Sequence, residues 1–469
     1  MSKLLRPTEL LLLTCPSIGL QVCWFLLTSS GTVFLLSLGI PNFVISLVWV
    51  SGPLFGAFVQ PIFGLLSDES QGRLGKRIPF IVGGATSATA FQLALAYARE
   101  LTDWGVNVKL GDGNKGTDLW QTQVFAVICV LVITFALQAY AVGLRALIVD
   151  NCPPSQQVTA AAWAMRWNVL GNVILASFGF LDAQWSFFAG DATMRFKMLT
   201  IVAATCSSAT VGLVCVFIPD SNAKIVRGCS SSFFQCCRDM FSLSLLTKQW
   251  AQLPRITRKV CMIQLFAWAG WFPILYYMST TDSRVALLDN DGRTGQAIEK
   301  HDLALVENAR KYSFFASFAF ALGALFSSVL FGILERAIPT ALKLPHVWLT
   351  SQCLLGLCMH LTFFSRSGTT AVIIVAMMGI TAPVTMWIPF ALISTEISEA
   401  FIGKPYEEVG RIMGLHNMAI SLPQIGSTLV CAILLAVLKL LNVADSVAWV
   451  FRLASVAVFY SVYLIQKLC

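Results

Sequence analysis

The carboxyl group of Asp150 is the feature of this sequence best placed to do chemistry, because it lies at the end of a long apolar run. We interpret Asp150, one residue past the fourth predicted apolar run, as the only acidic residue within a membrane helix. A carboxyl group partly out of water can bind and release a proton near neutral pH. Arg166, in the next apolar run, is its predicted partner, and a pair that breaks when a proton or substrate arrives would couple the two events. The alternative is an ion pair with a purely structural role.

A second group of charges follows the second apolar run. Gly64 permits close approach of helices, and Asp68 lies where the run ends. Arg145, five residues before Asp150, points to another side of its helix and is assigned to the same group, facing Asp68. We interpret these residues as a latch between helices, and the alternative is a loop whose cations only fix topology. The cations that can pair with Asp68 across the loop are Arg73, Lys76 and Arg77.

Polar and aromatic side chains at the depth of the apolar runs could bind a ligand that has hydroxyl groups and a flat apolar face. Each of them could instead pack helices together. His416 could also titrate, with a packing role as the alternative. The candidates for ligand binding are Gln21, Trp24, Asn172, Trp271, Trp387, His416, Asn417 and Gln424.

These residues must be positioned by membrane helices. Of the 469 residues, 57% are hydrophobic and only 12% are charged, whereas a soluble chain carries about 25% charged residues. So little charge excludes a cytosolic enzyme, a nucleic-acid-binding protein and a disordered chain. The 14 cysteines lie mostly inside apolar runs and indicate no disulfide framework.

The apolar runs predict twelve membrane spans, since a bilayer core of about 30 Å takes about 20 residues per helix. A polar, basic stretch separates two groups of six. The chain is therefore predicted to consist of an N-terminal half, 1–218, a cytosolic loop, 219–259, and a C-terminal half, 260–469. The predicted spans are 10–34, 42–66, 78–98, 121–149, 157–181, 194–218, 260–280, 312–334, 346–365, 370–394, 408–438 and 446–466.

The positive charge is interpreted as a topology signal. The net charge is +8, and the excess of Lys and Arg falls on the segments that are cytosolic when both termini are inside, as the positive-inside rule requires. Three cysteines of the central loop are predicted to be free thiols, with acylation as the alternative. They are Cys229, Cys236 and Cys237.

Several motifs resemble known families. The stretch from Gly64 to Arg77 resembles the loop between the second and third spans of the major facilitator superfamily. Further motifs, in order along nearly all spans, resemble the plant sucrose transporters of the glycoside–pentoside–hexuronide:cation symporter family, which has relatives in animals and fungi. These motifs are Gly19 to Trp24, Leu38 to Pro41, Trp49 to Gly64, Arg145 to Asp150, Trp167 to Asn172, Trp268 to Pro273, Pro389 to Leu392 and Asn417 to Gln424.

The resemblance implies an all-α membrane protein with the major facilitator fold, twelve helices in two six-helix halves. It also implies proton-coupled symport of sucrose or a related α-glucoside such as maltose, by alternating access. The coupling ion would be the proton, with no other cofactor and no metal. The expected partners are a small sugar and the lipid bilayer, with no nucleic acid and no obligatory protein partner. The plasma membrane is the expected location, and the vacuolar membrane is the alternative.

Other functions stay open at this point. A vacuolar or organellar sugar carrier, or an exporter of another small solute, would have the same architecture. A lipid scramblase or a membrane-embedded enzyme is the alternative function from a different class of membrane protein. The sequence contains no phosphate-binding Gly-Lys-Ser/Thr loop, which argues against direct drive by ATP.

Overall fold

The structure, a computed structural model, is helical almost throughout the residues that it describes: 4–70, 74–110, 119–185, 192–218, 243–288, 303–337, 343–365, 367–400, 408–441, 443 and 446–469. Each predicted span coincides with a helix or a run of helices in these ranges. The helices are Pro7–Thr14, Pro16–Leu26, Thr32–Ser37, Asn42–Leu54, Gln60–Glu69, Ile78–Ala96, Ala98–Leu110, Leu119–Asn151, Gln157–Trp185, Ala192–Phe217, Leu243–Gln252, Arg255–Leu288, Leu303–Ala337, Leu344–Leu361, Gly368–Ala400, Val409–Leu440 and Ser446–Gln466.

We number the spans one to twelve in chain order, so that span one runs from Pro7 to Ser37 and the short helices Ala98–Leu110 and Leu243–Gln252 are not counted. Within the described part of the chain, nine spans are long and apolar enough to cross a membrane. The other three are helical but are not among these nine. They are span five (Gln157–Trp185), span seven (Arg255–Leu288) and span nine (Leu344–Leu361).

Spans one and two are interrupted by π-helical turns, at Leu27–Gly31 and Phe55–Val59. In span two the turn lies between Pro53 and Pro61. A proline has no backbone N–H to donate and its ring crowds the preceding turn, so regular α-helical bonding is disturbed on both sides of this segment.

Several helices extend beyond their predicted ends, and this overturns one prediction. Span two continues to Glu69 and span ten to Ala400. Asp68 and Glu396 therefore lie inside helices, and Asp150 is not the only acidic residue of the spans. The polar residues at these ends were assigned to loops because the apolar runs stop earlier than the helices do.

The chain forms two compact units. Unit 1 consists of Met1–Gly171, Phe187–Leu253 and Ile397–Met418, and unit 2 consists of Asn172–Ser186, Pro254–Glu396 and Ala419–Cys469. Span eleven thus begins in unit 1 and continues in unit 2. The predicted division into 1–218, 219–259 and 260–469 stays a prediction.

Each unit has its own close-packed interior. In unit 1 the backbones of spans three and four touch at Gly84, where a Cβ atom would lie 2.6 Å from the amide nitrogen of Tyr140. The buried hydroxyl of Tyr140 donates to the carbonyl of Pro16 at 2.8 Å. In unit 2 the core is an apolar cluster that includes Trp271, Leu355 and Phe451.

Candidate functional site

The guanidinium of Arg77 joins two carboxylates in unit 1. Arg77 lies one residue before span three and its side chain is fully buried. Its Nη2 lies 2.7 Å from Asp68 Oδ1, and its Nε donates to Asp150 Oδ2 at 2.7 Å. Its Nη1 donates to the hydroxyl of Ser67 at 2.7 Å. The side chains of Asp68 and Asp150 are only 5% and 2% exposed, so the three charges form one buried cluster.

The charge state of Arg77 follows from this geometry. Burial opposes its positive charge, but the carboxylates of Asp150 and Asp68 outweigh burial and raise the pKa of Arg77 above its ordinary value. Arg77 is therefore a permanent cation between two carboxyl groups. When both carboxyls are ionised, the cluster carries one net negative charge.

The first backbone amides of span eleven bind the carboxylate of Asp68, which carries part of that negative charge. The two oxygens of Asp68 accept hydrogen bonds from the backbone amides of Gly410 and Arg411, at 2.9 and 2.8 Å. The first amides of a helix have no partner within the helix and carry its positive dipole end, so a carboxylate there is stabilised. Asp68 thus binds a helix N-terminus and a buried arginine at the same time.

Glycines bring spans two and eleven into backbone contact beside Asp68. A Cβ atom on Gly64 would lie 2.2 Å from the carbonyl oxygen of Gly410, and one on Gly410 would lie 2.4 Å from that of Gly64. One turn further along, a Cβ on Gly414 would lie 2.4 Å from the Cα of Pro61. No other residue type fits these positions without moving a helix. The predicted role of Gly64 in close helix approach is therefore consistent with the structure.

The hydrogen bond that the structure gives Arg145 goes to a side chain of span eleven. Its Nη1 donates to Asn417 Oδ1 at 3.2 Å. Asn417 Nδ2 in turn donates at 3.1 Å to the carbonyl of Gly56, within the π-helical turn of span two. The structure thus pairs Arg145 with Asn417, and the expected contact of Arg145 with Asp68 stays a prediction.

The remaining latch and coupling residues are placed as follows. Asp150 has Arg77, a residue assigned to the latch, as the partner shown by the structure, whereas the guanidinium of Arg166 lies 4.6 Å from the ring centre of Trp163. The pairing of Asp150 with Arg166 stays a prediction. The carbonyl of Lys76 accepts from Ser67 at 3.4 Å. Arg73 and the three cysteines of the central loop lie outside the described residues.

The candidates for ligand binding fall into two groups by exposure. Trp271, Trp387, His416 and Asn417 are buried. The other four are half-buried, with two in unit 1, Gln21 and Trp24, and two in unit 2, Asn172 and Gln424.

Trp271 belongs to a buried polar network of unit 2. Its indole N–H donates to the hydroxyl of Thr385 at 3.1 Å, and that hydroxyl also accepts from Gln352 Nε2 at 2.8 Å. Gln264 Nε2 donates to the carbonyl of Thr385 at 3.2 Å. The polar edge of Trp271 is therefore occupied, and only its ring face could meet a ligand. Thr385 is the hub of this network, and nothing in its sequence context indicated it.

A second carboxylate-to-amide contact lies in unit 2 and was also missed. Glu396 accepts from the amides of Ile256 and Thr257 at 2.7 and 2.6 Å, and from the hydroxyl of Thr257 at 2.7 Å. These amides open span seven. The signal that could have found it is the acidic residue a few positions past the apolar run of span ten, as with Asp68 after span two.

The helical architecture and the comparison with solved structures both indicate a membrane transporter fold. No family model matches the chain. The human organic anion transporter MFSD10 is similar in structure, with a TM-score of 0.62 at 14% identity over 98% of this chain and 100% of that chain. The major facilitator proton:xylose symporter XylE has a TM-score of 0.59 at 12% identity, covering 98% and 95% of the two chains. The chain therefore has the major facilitator fold, as predicted.

Sequence comparison finds relatives among the sugar transporters. The general alpha-glucoside permease of Schizosaccharomyces pombe is 27% identical over 531 aligned positions, which cover 97% of this chain and 92% of the relative. The sucrose transport protein SUC4 of Arabidopsis thaliana is 25% identical over 446 positions, covering 87% and 80%. The predicted resemblance to α-glucoside and sucrose transporters is confirmed.

Proposed function

We propose that this protein is a secondary transporter that carries sucrose or a related α-glucoside together with a proton, by alternating access. The observation that carries the proposal is the similarity to the Schizosaccharomyces pombe permease along nearly the whole length of both chains. Its fold supports the mechanism, because proton:sugar symporters such as XylE share it. No cofactor other than the coupling proton, and no obligatory protein partner, belongs to the proposal.

The cluster around Arg77 supplies the gate in this mechanism. Asp68 and the glycine contacts bind the start of span eleven to span two, and Arg77 binds Asp68 to Asp150. Alternating access requires that helices which close one side of a transporter separate later in the cycle. We place the bond between Asp68 and span eleven at the step that must break.

Proton coupling is assigned to Asp150. Its carboxylate is buried and shares a single cation with Asp68. A proton on Asp150 cancels its charge and leaves Arg77 and Asp68 as a balanced pair, so protonation changes the strength of the whole cluster. Arg166 remains the second predicted member of the coupling pair.

Topology and location complete the proposal. Both termini lie in the cytosol, which places the Arg77 cluster on the cytosolic side, and the bias of Lys and Arg supports this orientation. The membrane is the plasma membrane, with the vacuolar membrane as the alternative location.

Uptake in a yeast strain that lacks sugar transporters tests the proposal. Cells that express the protein are given radiolabelled sucrose, maltose or glucose, with and without a protonophore. We expect uptake of a glucoside that the protonophore abolishes. Uptake that resists the protonophore would contradict proton coupling, and the absence of uptake of any of these sugars would contradict the sugar substrate.

A further inference from the structure

Span one contains a hydroxyl-rich segment that the proposed mechanism does not use. The π-helical turn Leu27–Gly31 lies between two α-helical segments. Thr28 and Ser29, inside the turn, and Thr32, directly after it, are all exposed. A π-helical turn holds an extra residue and therefore rotates the side chains that follow it, and such turns frequently mark functional sites.

Three exposed hydroxyls within five residues differ from the apolar surface that other described spans expose. Span eleven, for example, exposes Leu429, Val430 and Ile433. A single exposed threonine can face lipid when its hydroxyl bonds to its own helix. Thr205 of span six does so, with a 2.9 Å bond to the carbonyl of Ile201. Thr28 does the same, with 3.2 Å bonds to the carbonyls of Trp24 and Phe25. The inference therefore needs more than exposure and hydroxyl chemistry.

Two indole rings beside the hydroxyls supply that further observation. Trp49 of span two donates from Nε1 to the hydroxyl of Thr32 at 3.0 Å. Its ring lies on Gly31, where a Cβ atom would come within 2.8 Å of the ring edge. Trp24, one turn before Thr28, is half-buried, and its ring lies against Gly52. Two aromatic rings thus flank the hydroxyl cluster, each packed on a glycine.

This combination matches the chemistry of a sugar. A sugar ring presents hydroxyl groups at its edge and an apolar face of C–H groups, and ligand sites join aromatic walls with a few placed polar groups. We propose that Thr28, Ser29 and Thr32, with Trp24 and Trp49, form a subsite of span one that binds a glycosyl unit of the transported sugar. The subsite rests on the proposed function.

In the subsite, the hydroxyl oxygens of Thr28 and Ser29 accept hydrogen bonds from sugar hydroxyls. Thr32 contributes its remaining hydroxyl capacity, and Trp49 is a positioning residue because it fixes that hydroxyl. Gly31 and Gly52 allow the two rings to lie close to the helices.

Uptake kinetics test the subsite. The double variant Thr28→Val, Ser29→Ala removes two hydroxyls and nearly preserves volume, and Thr205→Val is the matched control on span six. For a glucoside that the wild type transports, we expect the KM of the double variant to rise about tenfold, since each lost hydrogen bond accounts for about a threefold change. The control should stay within about twofold. A KM equal to that of the control, at matched surface expression, would overturn the subsite.

Thiol labelling gives a second readout that does not depend on folding efficiency. Ser29→Cys and Thr205→Cys are treated with a charged, membrane-impermeant methanethiosulfonate, which reacts with a thiolate in water, and the wild type supplies the background of native cysteines. We expect labelling of Ser29→Cys that the transported sugar slows, and none above background for Thr205→Cys. Absent labelling of Ser29→Cys, or labelling that sugar leaves unchanged, would overturn the subsite.

The two proposals fail in distinguishable ways. A wild type that transports no glucoside overturns the proposed function and the subsite together. A wild type that transports normally, with variants that match Thr205→Val and Thr205→Cys, overturns the subsite alone.

Discussion

In each unit, a carboxylate near the end of one span accepts hydrogen bonds from the first backbone amides of another span. The surroundings of the two carboxylates differ. In unit 1 the carboxylate of Asp68, at the end of span two, accepts from the first amides of span eleven. In unit 2 the carboxylate of Glu396, near the end of span ten, accepts from the first amides of span seven. Both contacts satisfy amides that a helix cannot satisfy by itself.

The difference lies in what surrounds each carboxylate. Asp68 also binds the buried Arg77, which binds Asp150, whereas Glu396 is half-buried and its partners shown by the structure are amides and one hydroxyl. Removing one charge from a buried network leaves the others uncompensated, while a half-exposed cap can exchange its bonds for water. In the proposed mechanism, unit 1 therefore contains the contact that a proton controls.

The largest effect should come from Arg77→Met, which keeps an unbranched side chain but removes the cation. Two buried carboxylates would then repel each other without a counter-ion, at a cost of about 3–5 kcal/mol. We expect a lower thermal unfolding midpoint in detergent and loss of most uptake. An unchanged midpoint and normal uptake would show that Arg77 does not stabilise the cluster.

Asp68→Asn should come next. The amide keeps one acceptor oxygen but loses the ionic contact with Arg77 and weakens the bonds to span eleven, each worth about 1.5–3 kcal/mol when charged. Because we propose that this contact belongs to the gate, we expect the maximal rate of transport to fall by more than the affinity for sugar. A normal maximal rate in a normally expressed variant would exclude the latch.

Gly64→Ala tests the backbone contact of spans two and eleven without changing charge. A methyl group there would lie 2.2 Å from the carbonyl of Gly410, and such overpacking costs about 1–3 kcal/mol. Uptake should fall several-fold. Gly83→Ala is the control, because a Cβ atom on Gly83 meets nothing within 4 Å. Equal uptake by the two variants would contradict the close contact.

The smallest effect is expected from Glu396→Gln. The amide retains one acceptor for the start of span seven, so the loss is comparable to that of one helix cap, about 1 kcal/mol. Uptake should stay within about twofold of wild type, with an unchanged pH profile. A loss as large as that of Asp68→Asn would remove the distinction between the units.

The sequence predicts the fold well because long apolar runs leave few alternatives in a bilayer. It predicts helix ends less well, since the helices of spans two and ten continue into polar residues. The π-helical turns have no signature beyond nearby prolines and glycines.

The sequence indicates which residues belong to the candidate site better than it indicates which of them are in contact. Asp68, Arg77 and Asp150 stand out in the sequence because placing a charge in or beside a membrane span costs free energy. The pairing of Arg77 with Asp150 could not be predicted, since the two are 73 residues apart in sequence. The choice of Arg77 as partner depends on how spans three and four pack. Thr385 was missed because a threonine in a helix carries no charge to draw attention.

The central claim is that Asp150 links the Arg77 cluster to proton-driven transport. Asp150→Asn keeps the size and one acceptor oxygen but cannot carry a proton. The direct test compares accumulation of a labelled glucoside against its gradient, in wild type and Asp150→Asn at matched surface expression. We expect accumulation to be lost in Asp150→Asn while exchange of sugar at equal concentrations persists. Full accumulation by Asp150→Asn would contradict it and place the coupling proton elsewhere, with His416 as the next residue to test.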